Sequence, residues 1–172
     1  IASQPLARGE CALHILFYNI GKFVKYYELK RGYKFVDINA KYFGNITFEE
    51  NDIILVEEGL IGFSSYIKYL PISFEEGNDG MISLQSLEDE GLSFILMNPF
   101  KLFPDYNPIP TKEDMRQLGA EKEEDISYYV ISVIGASIAE STVNLKAPLA
   151  VNAKNRKAKQ IILEQPEYTF RH

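Results

Sequence analysis

From Phe35 to Leu163 the apolar residues fall into short β-prone runs cut by turn formers, a pattern that narrows the possible folds more than any other feature. In the first run Val36, Ile38, Ala40 and Tyr42 alternate with Asp37, Asn39 and Lys41, the period-two signature of a half-buried strand. Gly44-Asn45 is read as its turn. Ile53–Val56 follows Asp52 and is closed by Glu58-Gly59. Tyr66–Ile72 and Met81–Leu84 are strands separated by the polar loop 75–80, and Leu92–Met97 follows the Asp89-Glu90-Gly91 turn. Ile126–Ile134 is the most β-prone run. Val143–Val151 and Lys159–Leu163 complete the set, joined by the polar turn 152–157.

Helical signals inside this region are few. Pro99, Pro104, Pro108 and Pro110 mark 98–110 as an ordered irregular loop, because proline fixes φ and removes a ladder donor. Thr111 stands three residues before Asp114, a capping-box start for a short helix to about Leu118. No βαβ alternation appears, so a parallel sheet is not expected. The fold class is mainly β: a small antiparallel β-barrel-like sandwich with one short internal helix. With 172 residues, 46 % of them apolar, the chain can bury one domain core without disulfides or a structural metal.

Residues 1–33 differ in pattern from the remainder of the chain and are read as an N-terminal extension to a domain over 34–172. Leu13, Leu16, Ile20, Phe23, Val24 and Tyr27 recur at helical spacing, with Lys22 and Lys25 off the stripe. That pattern fits a basic amphipathic helix for a membrane surface or a partner; it equally fits a stretch that packs on the domain or lies outside it. Charge divides at the same place. Residues 1–35 carry six basic side chains against Glu10 and Glu28, a net of +4, which leaves −10 for 36–172 within a total of −6. An acidic body repels a phosphate backbone and attracts basic protein surfaces, so no direct nucleic-acid partner is expected. No apolar run reaches the ~20 residues needed to span a bilayer, so no membrane partner is expected.

Catalytic constellations are not in evidence. The glycines have no phosphate-loop spacing, and HExxH, CxxC and GxSxG are missing. His14 and Cys11 lie in the extension and His172 is the last residue, poor positions for a base or nucleophile. Carboxylate clusters such as Glu49-Glu50, Glu57-Glu58 and 123–125 read as solvated faces, so neither metal nor cofactor is expected and the chain is read as a non-enzyme. What remains is recognition hardware. Aromatics make up 13 % of the chain without a Trp, and Phe100, Phe103 and Tyr106 gather in the proline-rich loop beside Asp105. Phe100 and Phe103 are expected to turn inward; Asp105 and Tyr106 are expected at the surface.

That loop also carries a family resemblance. Asn98-Pro99-Phe100 followed by Phe103-Pro104-Asp105-Tyr106 resembles the signature of the FliW family. Further blocks agree in order: Lys41-Tyr42-Phe43-Gly44, Glu58-Gly59-Leu60 with Gly62-Phe63, Leu84-Gln85-Ser86, and Asn144-Leu145-Lys146-Ala147-Pro148 with Asn152 and Gln160–Leu163. The resemblance covers about 36–172. Ala40 stands where the family often has Thr, Glu57 and Ile61 where prolines are common, and Ala158 where Gly is frequent.

The resemblance implies a small β-barrel-like fold and a cytoplasmic flagellar assembly factor. Such a protein binds flagellin and also binds CsrA, an RNA-binding translational regulator. Flagellin occupies it while plentiful; once flagellin is exported, the freed protein inhibits CsrA, away from the RNA-contacting surface. Residues expected at exposed partner contacts are Glu58, Asn98, Asp105, Tyr106, Asn144, Lys146 and Asn152, while Leu84, Phe94, Phe100 and Leu145 are expected in the core. Two alternatives stay open: a small acidic barrel, ligand-binding or enzymatic, with a carboxylate-lined pocket, and a barrel that stacks bases on its Tyr and Phe.

Overall fold

The computed structural model describes residues 34–76 and 78–172, so the expected amphipathic extension, with Cys11 and His14, lies outside the described residues. Ten strands occur among those described: β1 (Phe35–Ala40), β2 (Gly44–Glu49), β3 (Ile54–Val56), β4 (Lys68–Glu75), β5 (Asn78–Ser86), β6 (Ser93–Met97), β7 (Ile126–Val133), β8 (Thr142–Val143), β9 (Leu149–Asn152) and β10 (Lys157–Gln160). Two helices interrupt them, α1 (Pro99–Leu102) and α2 (Lys112–Leu118). The order β6-β5-β4-β3-β10-β9-β7, with β6 pairing back onto β7, closes seven strands into a barrel. Closure removes the open edges that would invite unwanted strand pairing.

Side-chain alternation sorts the strand residues into an interior and an outer shell. Tyr69 of β4, Ile82 and Leu84 of β5, Leu96 of β6, Tyr129 of β7 and Leu149 of β9 fill the interior, and Leu60 joins the same cluster. Residues of opposite parity face outward, where two covers bury them. The β1–β2 hairpin lays Ala40, Ile46 and Phe48 on Leu70 and Ile72 of β4. On the other side, α1, α2 and the C-terminal segment place Tyr106, Leu118, Ile161 and Leu163 over Val130 of β7 and Ala150 of β9.

The mainly β, barrel-like expectation holds, and so does the capped helix. Thr111 Oγ1 accepts the Asp114 N–H at 3.1 Å while Asp114 Oδ2 accepts the Thr111 N–H at 3.0 Å, and Gly119 ends α2 at φ 62°. The details differ in several places. The first strand stops at Ala40, so Tyr42 falls in the turn. β10 runs Lys157–Gln160, two residues earlier than the expected Lys159–Leu163 at its start and three at its end, where Ile161 and Leu163 pack under the cover instead. Gly44 opens a strand instead of centring a turn, so β2 adds a hairpin that the two apolar residues Ile46 and Phe48 signal only faintly. The polar loop at 75–80 is shorter than expected, because β4 runs to Glu75 and β5 starts at Asn78. Asn144 Oδ1 accepts the Ala147 N–H at 2.9 Å, a local turn that splits the expected strand Val143–Val151 into β8 and β9. One parallel pair, β3 with β10, completes the ring, made possible by the long path between those strands. The proline loop also contains one helical turn, α1, in addition to the expected helix.

Candidate protein-binding surface

The residues expected at partner contacts divide into two groups. Glu58 and Asp105 are exposed, as expected. Asn144 and Lys146 are half-buried; Asn144 holds the turn between β8 and β9, and Lys146 Nζ donates to the Gln165 carbonyl at 2.7 Å. Asn98, Tyr106 and Asn152 are buried, which overturns the exposure expected for them. Each is buried because it satisfies backbone groups at a helix end or under the helical cover. Asn98 caps α1 by accepting the Phe100 N–H and donates Nδ2 to Asp79 Oδ2 at 3.0 Å. Tyr106 donates its hydroxyl to the Leu145 carbonyl at 2.9 Å. Asn152 Nδ2 donates to the carbonyls of Leu118 and Gly119, both at 3.1 Å, and so ties the end of α2 to β9. Phe100 and Phe103 pack inward under the same cover, as expected. Gly59 is also structural: its φ is +68°, and a Cβ there would lie 2.5 Å from Ser64 Cα.

Between the two covers a strip of the outer wall stays open. Tyr42, at the tip of the first hairpin, and Phe74 of β4 form one side, their rings 5.8 Å apart. Met81 of β5 and Ser93 and Ile95 of β6 line the floor, while Val133 and Ile134, at the end of β7, form the far side. The groove encloses about 670 Å³. Its depth comes from a short seam. The β6–β7 ladder covers only Ile95–Met97 against Val130–Ser132; Phe94, just past it, and Ile131, within it opposite Leu96, pack on the interior and also line the groove. Phe63 stands edge-on to Phe94 with centroids 4.9 Å apart and extends the apolar surface toward exposed Ile61. Val133 is 65 % exposed, Ile134 56 % and Tyr42 49 %, a concentration of apolar surface that solvent alone does not favour.

The charges near the groove are mostly acidic. Glu75 and Glu76 directly follow Phe74, and Glu140 sits against Gly135, next to Ile134. Lys41 lies with its ammonium 5.6 Å from the Tyr42 ring centroid. Under the covers the charges are held differently. Burial raises the Asp114 carboxyl, but hydrogen bonds from Thr111 and Lys159 outweigh it and hold the group below its ordinary value. Lys159 Nζ meets Asp114 Oδ1 at 2.9 Å and pins α2 to β10. The Lys154 hydrogen bond lowers Asp125, whereas burial raises Asp52, which lies in the turn just after β2 and accepts the Glu49 N–H. Burial pushes the Tyr69 phenol up to about 12 and raises Tyr106 and Tyr128 as well.

Sequence reasoning misses most of the groove. Tyr42 belongs to a family-like block, but Phe74, Met81, Ile95, Val133 and Ile134 read only as strand or loop residues. One signal is present: Val133-Ile134 continues the β7 run with two adjacent apolar residues, so one of them cannot face the interior. The alternative of a carboxylate-lined pocket does not match the groove, whose lining carries no Asp or Glu, or the barrel interior, which apolar and tyrosine side chains fill. Among the described residues no cluster of three His, Cys, Asp or Glu is placed to hold a metal, and no helix is long and apolar enough to cross a membrane.

Fold and site together define a small closed β-barrel with a filled interior and an apolar groove on its outer wall. Comparison with known proteins gives the family: residues 37–172 match the model of the FliW protein family, and the chain belongs to it. It is 35 % identical over 135 residues to the flagellar assembly factor FliW of Alkaliphilus metalliredigens, covering 78 % of this chain and 83 % of that protein. Identity to the flagellar assembly factor FliW of Shouchella clausii is 35 % over 136 residues, covering 79 % and 92 %. A crystal structure of the flagellar assembly factor FliW superposes with a TM-score of 0.74 at 33 % identity, covering 80 % of this chain and 95 % of that one.

Proposed function

We propose that this chain is a cytoplasmic flagellar assembly factor that works by binding proteins: it holds flagellin and, when flagellin is scarce, binds and inhibits CsrA. The observation that carries this reading is the open apolar groove on an acidic barrel, in a family whose relatives are named flagellar assembly factors. The net of −10 over 36–172 favours encounter with a basic RNA-binding protein, and the groove suits a partner that must shield apolar surface before assembly. Glu58 and Asp105, both exposed, are the further contacts this reading keeps from the family motifs. The test is calorimetry and size exclusion with the cognate flagellin and the cognate CsrA. Complexes with both are expected, the CsrA complex weakening as salt rises. Absence of binding to either at tens of micromolar contradicts the proposal.

A further inference from the structure

We propose that the groove between Phe74 and Val133 receives the apolar ridge of an amphipathic helix from a partner protein, with Lys or Arg along the flanks of that helix. The inference rests on the protein-binding function proposed for the chain and adds the occupant's shape and charge. Length argues for a helix. The groove crosses from β4 through β5 and β6 to β7. Three inter-strand steps amount to about 14 Å. Apolar residues at i, i+4 and i+8 of a helix span about 12 Å, so two helical turns fill the groove from wall to wall. An added strand is a poorer fit. It would need an open ladder edge, but β7 is paired with β6, β8 and β9, and β6, paired with β5 along its whole length, leaves only Ser93 and Phe94 free of β7, too short an edge for a strand. The floor is therefore made of side chains.

The seam supplies an anchor point. Phe94, just past the end of the β6–β7 ladder, and Ile131 within it both line the groove, and a large apolar side chain of the ridge can insert against them, as central anchors do in tight interfaces. Charge sets the flanks. Glu75, Glu76 and Glu140 lie beside the two walls, so Lys or Arg flanking the ridge is attracted and Asp or Glu is repelled.

The experiment measures, by calorimetry on the full chain, binding of the cognate flagellin and of synthetic peptides for its two terminal segments. Wild type is compared with Val133→Glu, with the milder Val133→Ser, and with Glu140→Lys; thermal melts confirm that each variant is folded. One terminal peptide is expected to bind. Its affinity and that of whole flagellin should fall at least tenfold in Val133→Glu, by a smaller factor in Val133→Ser, and severalfold at low salt in Glu140→Lys. If flagellin and CsrA both fail to bind wild type, the function reading falls. If flagellin binds wild type and both Val133 variants equally, the groove assignment falls and the function reading survives. Binding that improves in Glu140→Lys overturns the charge assignment. A tenfold gain on removing residues 1–33, or a dimer that Val133→Glu dissolves, would assign the groove to the chain itself or to a second copy, and also overturns the proposal.

Discussion

The wall under α2 and the strip over β5 and β6 start from the same material, the outward faces of neighbouring strands, and end in opposite states. Over β7 and β9 the chain adds two helices and a tail, and fixes them with side chains whose polar atoms are directed to particular backbone groups: Asn98 to α1, Asn152 to the end of α2, Tyr106 to Leu145. Over β5 and β6 it adds nothing, and Met81, Val133 and Ile134 stay in solvent. Buried polar side chains with fixed partners hold a scaffold in register, whereas exposed apolar side chains on a rigid wall lower the cost of binding something else. The residues that carry the family motifs belong largely to the first kind, and the candidate contact surface belongs to the second.

This contrast can be broken most severely from the covered side. Leu118→Ala removes a side chain that is 1 % exposed beneath α2, and about 3 kcal/mol of stability should be lost in urea denaturation. Asn152→Ala removes the donor to the Gly119 carbonyl and the acceptor of the Lys154 N–H, while Asn155 keeps the Leu118 carbonyl paired, and the expected loss is about 2 kcal/mol by the same measurement. Acid sharpens the contrast on a smaller scale. The Asp114 carboxyl titrates below its unfolded value, so its stabilisation is complete above that value and is lost as pH falls from about 4 toward the depressed folded value. Asp114→Asn should therefore lose less stability between pH 5 and 3 than wild type in thermal melts. Asp52 acts in the opposite sense: its raised carboxyl favours the protonated form in the fold, so acidification relieves a cost there. Smallest of all, Val133→Ser on the open strip should change stability by no more than about 0.5 kcal/mol, because the side chain is already mostly in water.

Much of the barrel could be read from the sequence because period-two runs and turn residues are local signals. Val36–Ala40, Ile126–Val133 and the Thr111–Asp114 cap needed nothing beyond their own neighbours, whereas Tyr42, read as the end of the first strand, lies in the turn after it. Ring closure through the parallel β3–β10 pair is a long-range event, with no local trace in Leu55 or Ala158. Motif residues misled in one respect. Asn98, Tyr106 and Asn152 look like surface polar groups in sequence, and only the fold shows the backbone atoms that bury them. The groove was hidden for a related reason: Phe74, Met81, Ile95 and Val133 come from four strands, and each alone is an ordinary β-strand residue.

The central claim is that the open strip makes the contact while the motif-bearing cover holds the frame. The most direct test is the affinity for cognate flagellin of Val133→Glu and Tyr106→Phe, measured side by side at a temperature where both are folded. Val133→Glu should bind at least tenfold more weakly, while Tyr106→Phe, which loses only its hydrogen bond to Leu145 under the cover, should bind like wild type. A folded Tyr106→Phe that loses affinity beside a Val133→Glu that keeps it would contradict the account.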